Sequence, residues 1–186
     1  MRAHSFSFAG LGNLLALLAV NGSLSYAFVD QLYFGELPCP LCLLQRVAYV
    51  LVGIALVLNI RFGAHSAHYG WGILGCVTGM AVSLRQILLH VLPGDAGFGN
   101  TFLELHFYTW AFVGFIGLIA VQAILMMLPS SGVRNHGWFA KTLVIWFILL
   151  VLGNVISTLL ECGIGPCADD PVSYDGLQWL RQRFGI

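Results

Sequence analysis

The chain has 186 residues, 59% of them hydrophobic and only 9% charged, with eight basic and eight acidic side chains and a mean hydropathy of +0.87. A soluble domain carries about 25% charged residues, so the bilayer is the solvent this composition fits. Zero formal net charge, with no basic run and no basic–aromatic interleaving, offers no case for a nucleic-acid partner, and the length suits one helical bundle rather than several domains.

In chain order, the first apolar segment runs from about Phe6 to Val29 and stops at Asp30, enough for the roughly 20 residues that cross a hydrocarbon core. Arg2 ahead of it and Ser25-Tyr26-Ala27 near its end give a cleaved signal peptide as the alternative. The apolar run exceeds the usual signal core of about 7–15 residues, so a retained helix is expected. The second span is expected over about 43–60, ending at Arg61, and the third over about 69–92, ended by Pro93-Gly94. A polar, glycine-rich loop follows. The fourth span, about 106–128, ends at Pro129-Ser130-Ser131-Gly132, and the fifth, about 138–160, ends at Glu161. Residues 161–186 form a tail in which Leu177, Leu180 and Phe184 recur at helical spacing, which predicts a short helix lying in the lipid headgroup layer. The fold class is therefore all-α: a single membrane domain built as a helical bundle of five spans.

Loop charges orient the bundle. One face carries Arg2, Arg61, Arg134 and Lys141; the other carries Asp30, Glu36, Asp95, Glu104, Glu161, Asp169, Asp170 and Asp175. Cytoplasmic loops collect Lys and Arg, which puts the first face inside and all four paired cysteines outside. Gly75 and Gly79 form a small-xxx-small pair that lets helices approach closely.

Five cysteines fall into two close pairs, Cys39/Cys42 and Cys162/Cys167, with Cys76 alone in an apolar segment. Such pairing suits an oxidising compartment. Cys42 is followed at once by an apolar helix, so it occupies the first turn, where backbone N–H groups and the positive helix end stabilise a thiolate. Arg46, one turn further along the same face, adds a fixed positive charge and a donor for an anionic or carbonyl oxygen. Pro38 and Pro40 favour an extended approach to the helix. Cys162-Gly163-Ile164-Gly165-Pro166-Cys167 closes a small ring just past the fifth span. It reads as a mobile shuttle disulfide open to an attacking thiolate, against a static staple or a metal site made from all four thiols. Cys76 reads as a small apolar filler, and His65, His68 and His136 as solvated loop residues. Arg85, Gln86 and His90 lie toward the outer end of the third span. Ionisable groups inside a span are functional candidates, although snorkelling also accounts for Arg85. Arg85 and His90 therefore join Arg46 and its neighbour Gln45 as candidate acceptor-binding residues, and no metal ligands are assigned. His106, Tyr108 and Trp110 read as an interfacial aromatic belt.

Cys39-Pro-Leu-Cys42-Leu-Leu-Gln-Arg46 resembles the Cys-x-x-Cys-x-x-x-Arg signature of the disulfide bond formation protein B (DsbB) family, bacterial inner-membrane quinone reductases. The resemblance extends to the helix order, to the stretch from Arg85 through Pro93 and to the fourth span from Phe102 to Phe115. It implies a protein that oxidises a periplasmic thioredoxin-fold oxidase of the DsbA type and passes two electrons to ubiquinone or menaquinone. By that resemblance Cys39/Cys42 is the quinone-proximal pair, with Cys42 facing the quinone and Arg46 supporting it. One departure matters: the better-known members carry a second pair between the third and fourth helices, whereas residues 93–105 here contain no cysteine. The chain is similar to the five-span relatives called DsbI, which moves the shuttle role to Cys162 and Cys167. Two rival readings remain on these residues. One is the same scaffold run outward as a reductase of the vitamin K epoxide reductase type; the other is a non-enzymatic membrane subunit with structural disulfides.

Overall fold

The computed structural model describes residues 8–128 and 137–185. Arg2, the stretch Pro129-Ser130-Ser131-Gly132, Arg134 and His136, all used above, lie outside the described residues. Among the described residues six helices carry the fold: α1 (Phe8–Tyr33), α2 (Pro40–Phe62), α3 (Ser66–Leu89), α4 (Phe107–Met127), α5 (Gly137–Cys162) and the short α6 (Asp175–Phe184). The first five are long and apolar enough to cross a membrane. Even the 21-residue α4 reaches about 31 Å at 1.5 Å per residue, the thickness of a hydrocarbon core. The protein is an all-α, multi-pass membrane bundle.

The core forms where the small and apolar faces meet. Leu17, Val20 and Leu24 of α1, Val52 and Leu56 of α2, Cys76 of α3 and Phe115 of α4 are 0–1% exposed. Cys76 packs there as an apolar filler and accepts a weak hydrogen bond from Gln122 Nε2 at 3.4 Å. Gly75 and Gly79 of α3 serve different neighbours. A Cβ at Gly75 would meet Leu51 and Val52 of α2, and one at Gly79 would collide with the Phe115 ring of α4. The α3 helix therefore packs closely on both sides, as small residues permit in a bilayer. By contrast α5 is peripheral: 17% of its apolar window is buried inside the bundle against 50% for α2.

The loop after α3 is more ordered than its glycines suggested. Strands β1 (Thr101–Phe102) and β2 (Leu105–His106) pair antiparallel as a hairpin. Its turn residues, Leu103 and Glu104, both take positive φ, 49° and 64°. That is the geometry of a tight two-residue hairpin turn, usually supplied by Asn-Gly, and Leu-Glu gives no such signal in the sequence. Trp110 Nε1 donates to the Phe102 carbonyl at 2.9 Å and fastens the hairpin to α4.

Candidate functional site

Cys39 is the residue from which α2 starts. Its backbone is extended, Pro40 takes the first helical position, and the Cys39 sulfur accepts the Cys42 N–H at 3.2 Å. Proline loses nothing there because its missing N–H would lack a helical partner anyway. Cys39 and Cys42 are free thiols, the first buried and the second half-buried. Gln86 of α3, 1% exposed, aims its carboxamide at both: Nε2 donates to Cys39 Sγ at 3.3 Å and to Cys42 Sγ at 3.5 Å. Its Oε1 accepts from Gln45 Nε2 at 2.8 Å, which fixes the orientation of the amide. A hydrogen bond with the Cys42 sulfur, and burial after it, hold the Cys39 thiol well above the ordinary thiol range. The two sulfurs are thus inequivalent: Cys39 is packed behind, and Cys42 is the one that reaches the cavity described next.

Cys42, Gln45 and Arg46 share one wall of a cavity of about 430 Å³, a size suited to a small organic ligand. Tyr26 and Ala27 of α1, Phe107, Tyr108 and Trp110 of α4, and Phe98 and Phe102 of the hairpin loop line it as well, with Asp30 and Glu36 also on its wall. Arg46 is 8% exposed. Its Nη1 donates to Gln31 Oε1 at 2.8 Å and its Nη2 to the Ala27 carbonyl at 2.9 Å. A guanidinium has five N–H donors, so donors remain for a ligand oxygen. The Arg46 guanidinium also lies 5.6 Å from the Phe28 ring centre.

The second pair is a disulfide, Cys162–Cys167, with Cα atoms 4.6 Å apart. It begins on the last residue of α5 and lies at the same end of the bundle as Cys39 and Cys42. Gln31, near the end of α1, bridges to this region: its Nε2 donates to Ser157 Oγ at 2.8 Å and to Tyr174 OH at 3.1 Å.

A family model described as "Disulfide bond formation protein DsbB" matches residues 10–99, which include the inner pair and Gln86 but not the tail. A relative named "Disulfide bond formation protein B" from Chromobacterium violaceum is 37% identical over 163 residues, 82% of this chain and 92% of the relative. The chain belongs to the disulfide bond formation protein B family. Proteins of the same printed name from Nitrosomonas eutropha (40% identical, 43% of this chain and 52% of the relative) and Xanthomonas campestris (33%, 44% and 51%) match shorter stretches. No solved structure matches. The protein is thus a membrane protein of disulfide bond formation.

On this DsbB-family scaffold the expected site residues divide. Gln45 and Arg46 meet Cys42 at the cavity. Arg85 is exposed on the outer surface of α3 and does not line it. His90 does not line it either; it stands behind, 5.8 Å from the Tyr108 ring, which also stacks on His106 at 5.1 Å. His90 Nδ1 pairs with Asp95 Oδ1 at 3.1 Å, and the same oxygen accepts the Gly97 N–H at 2.8 Å. These bonds hold the loop that brings Phe98 over the cavity. Cys162 and Cys167 stand apart from the cavity, on the tail. Gln86 and Gln31 were not among the expected site residues. Gln86 continues the inward stripe Gly72, Gly79, Ser83, all buried at helical spacing, and that periodicity was the available signal. Glu161 was counted among loop charges but is 3% exposed in the last turn of α5.

Proposed function

We propose that this chain is a thiol:quinone oxidoreductase of the bacterial inner membrane that reoxidises a periplasmic DsbA-like, thioredoxin-fold dithiol oxidase. Both cysteine pairs would face the periplasm; Arg61 and Lys141, at the opposite end of the bundle, support that orientation. The observation that carries the reading is the placement of the half-buried Cys42 and Arg46 together on the wall of an aromatic cavity.

A partner thiolate attacks one sulfur of Cys162–Cys167, forming a mixed disulfide and releasing the other sulfur as a thiolate. The partner's second thiolate then resolves it, so the partner leaves oxidised and Cys162 and Cys167 are left reduced. The same two exchanges pass the electron pair to an oxidised Cys39–Cys42, which regenerates the tail disulfide.

The cavity fits a quinone head group: aromatic rings offer flat apolar walls, and Arg46 offers free N–H donors to a carbonyl oxygen. Ubiquinone or menaquinone, when bound, would supply the acceptor for two electrons and two protons. Arg46 and Gln45 would hold it, and Cys42 is the sulfur placed toward it. Arg85 and His90 enter the proposal as outlying candidates, His90 through the loop it ties down.

The test is quinone-dependent oxidation of a periplasmic thioredoxin-fold dithiol by the purified chain. Cys42→Ser is expected to bring turnover to background. Cys162→Ser is expected to block partner oxidation while dithiothreitol still drives quinone reduction through the inner pair. Full partner turnover by Cys162→Ser would refute the shuttle role, and a wild-type chain that never reduces quinone would refute the whole reading.

A further inference from the structure

Arg46 and Glu161 are the two fully buried charged side chains among the described residues, 8% and 3% exposed. Neither has an ordinary counter-ion. Arg46 is held by a neutral amide and a backbone carbonyl, and the one ion pair within 4 Å among the described residues joins His90 to Asp95. Both carboxyl oxygens of Glu161 are buried without a hydrogen-bond partner. An isolated buried charge costs several kcal/mol, a cost that an opposite charge nearby offsets. Glu161 lies one helical turn beyond Ser157, and Ser157 and Arg46 hydrogen-bond the same Gln31 amide, which gathers the two buried charges into one polar cluster.

The groups between them belong to the tail and the fifth span. Gln31 accepts from Arg46 with its oxygen and donates with its nitrogen to Ser157, one helical turn before Glu161, and to Tyr174. Tyr174 stands just ahead of α6, seven residues beyond Cys167. The start of α6 is seated tightly: a Cβ at Gly176 would collide with the Leu159 carbonyl and fall 2.7 Å from the Gly163 nitrogen. The peptide that carries the tail disulfide is therefore joined through two side chains to the arginine beside Cys42.

We propose that Tyr174 and Glu161 are positioning residues for the inner cysteine pair: through Gln31 and through the buried charge of Arg46, the seated tail sets how strongly that arginine acts on Cys42. The proposal rests on the thiol:quinone reading only for the chemistry that Arg46 serves. The two residues act with opposite sign. The Tyr174 hydroxyl steadies Gln31 and so holds Arg46 in place, whereas the Glu161 carboxylate offsets the arginine's charge.

The test is the alkylation rate of Cys42 by iodoacetamide in the full-length chain with its inner pair reduced, at pH 8, read peptide by peptide by mass spectrometry. The thiolate is the reacting form, so a roughly threefold slowing is expected in Tyr174→Phe and a roughly threefold acceleration in Glu161→Gln. Each substitution keeps the shape of its side chain. Simple loosening of the tail would move both rates the same way, so changes of the same sign overturn the proposal, as does a wild-type rate in either variant. Quinone reduction by dithiothreitol is followed on the same preparations. If wild type lacks it while the opposed shifts hold, the quinone reading falls and the coupling stands. If wild type has it and the opposed shifts are missing, only the coupling falls.

Discussion

Cys39 and Cys42 are gripped from several sides, by the start of α2, by the Gln86 amide and by the cavity wall. Cys162 and Cys167 close a ring that is held at one side, where Gly163 packs against Gly176, and open at the other, with Ile164 92% exposed. At the first pair, the Gln86 amide and a buried arginine surround the sulfurs with donors. At the second, exposed residues and two glycines leave the ring open to solvent. The contrast is one between a tuned site and an accessible one, both at the same end of a single bundle.

The largest break in this contrast is expected from Arg46→Met. It strips the cavity of its cation and leaves the Gln31 oxygen and Ala27 carbonyl unpaired, at about 1–3 kcal/mol each. Quinone kcat/KM measured with dithiothreitol as donor should fall by about thirtyfold or more, and Arg46→Lys, which keeps the charge but not the planar fork, should recover only part of it. Next comes Gln86→Leu. Both sulfurs lose their donor and Gln45 loses its acceptor, a change of about 1.4 kcal/mol that corresponds to roughly tenfold in kcat. Steady-state kinetics should show it with either electron donor.

The tail predicts the opposite pattern. Gly163 has a φ of +64°, and a side chain in that left-handed region costs roughly 1–2 kcal/mol. Gly163→Val should slow oxidation of the protein partner about fivefold by distorting the ring, and leave dithiothreitol-driven reduction within about twofold. An equal loss with both donors would erase the distinction between the two pairs.

The smallest effect concerns the loop over the cavity. The Gly97 N–H, and then the His90 side chain, hold the Asp95 carboxyl below its ordinary value of 3.8. A lowered folded value means that the contribution is complete above 3.8 and is lost as pH falls through the lower folded value. Hydrogen exchange at the Gly97 amide, corrected for its intrinsic rate, should quicken only below 3.8 in wild type and be insensitive there in Asp95→Asn.

Much of the scaffold was legible in the residues. Five apolar runs longer than a bilayer is thick define five helices, and a Cys-x-x-Cys bounded by prolines at the head of one of them defines the inner pair. The hairpin was not legible because Leu103-Glu104 carries none of the usual turn chemistry. Arg85 and Gln86 show a second limit. Adjacent helical residues point about 100° apart, so the charged one drew notice while the neutral one faces both sulfurs.

What the sequence determined alone is the kind of molecule and the location of its sulfur chemistry, because hydrophobic length and cysteine spacing are local properties. Tertiary structure decided which polar groups surround that chemistry. Gln31 and Gln86 come from two different helices, and only packing of those helices against α2 turns their side chains toward Arg46 and Cys42.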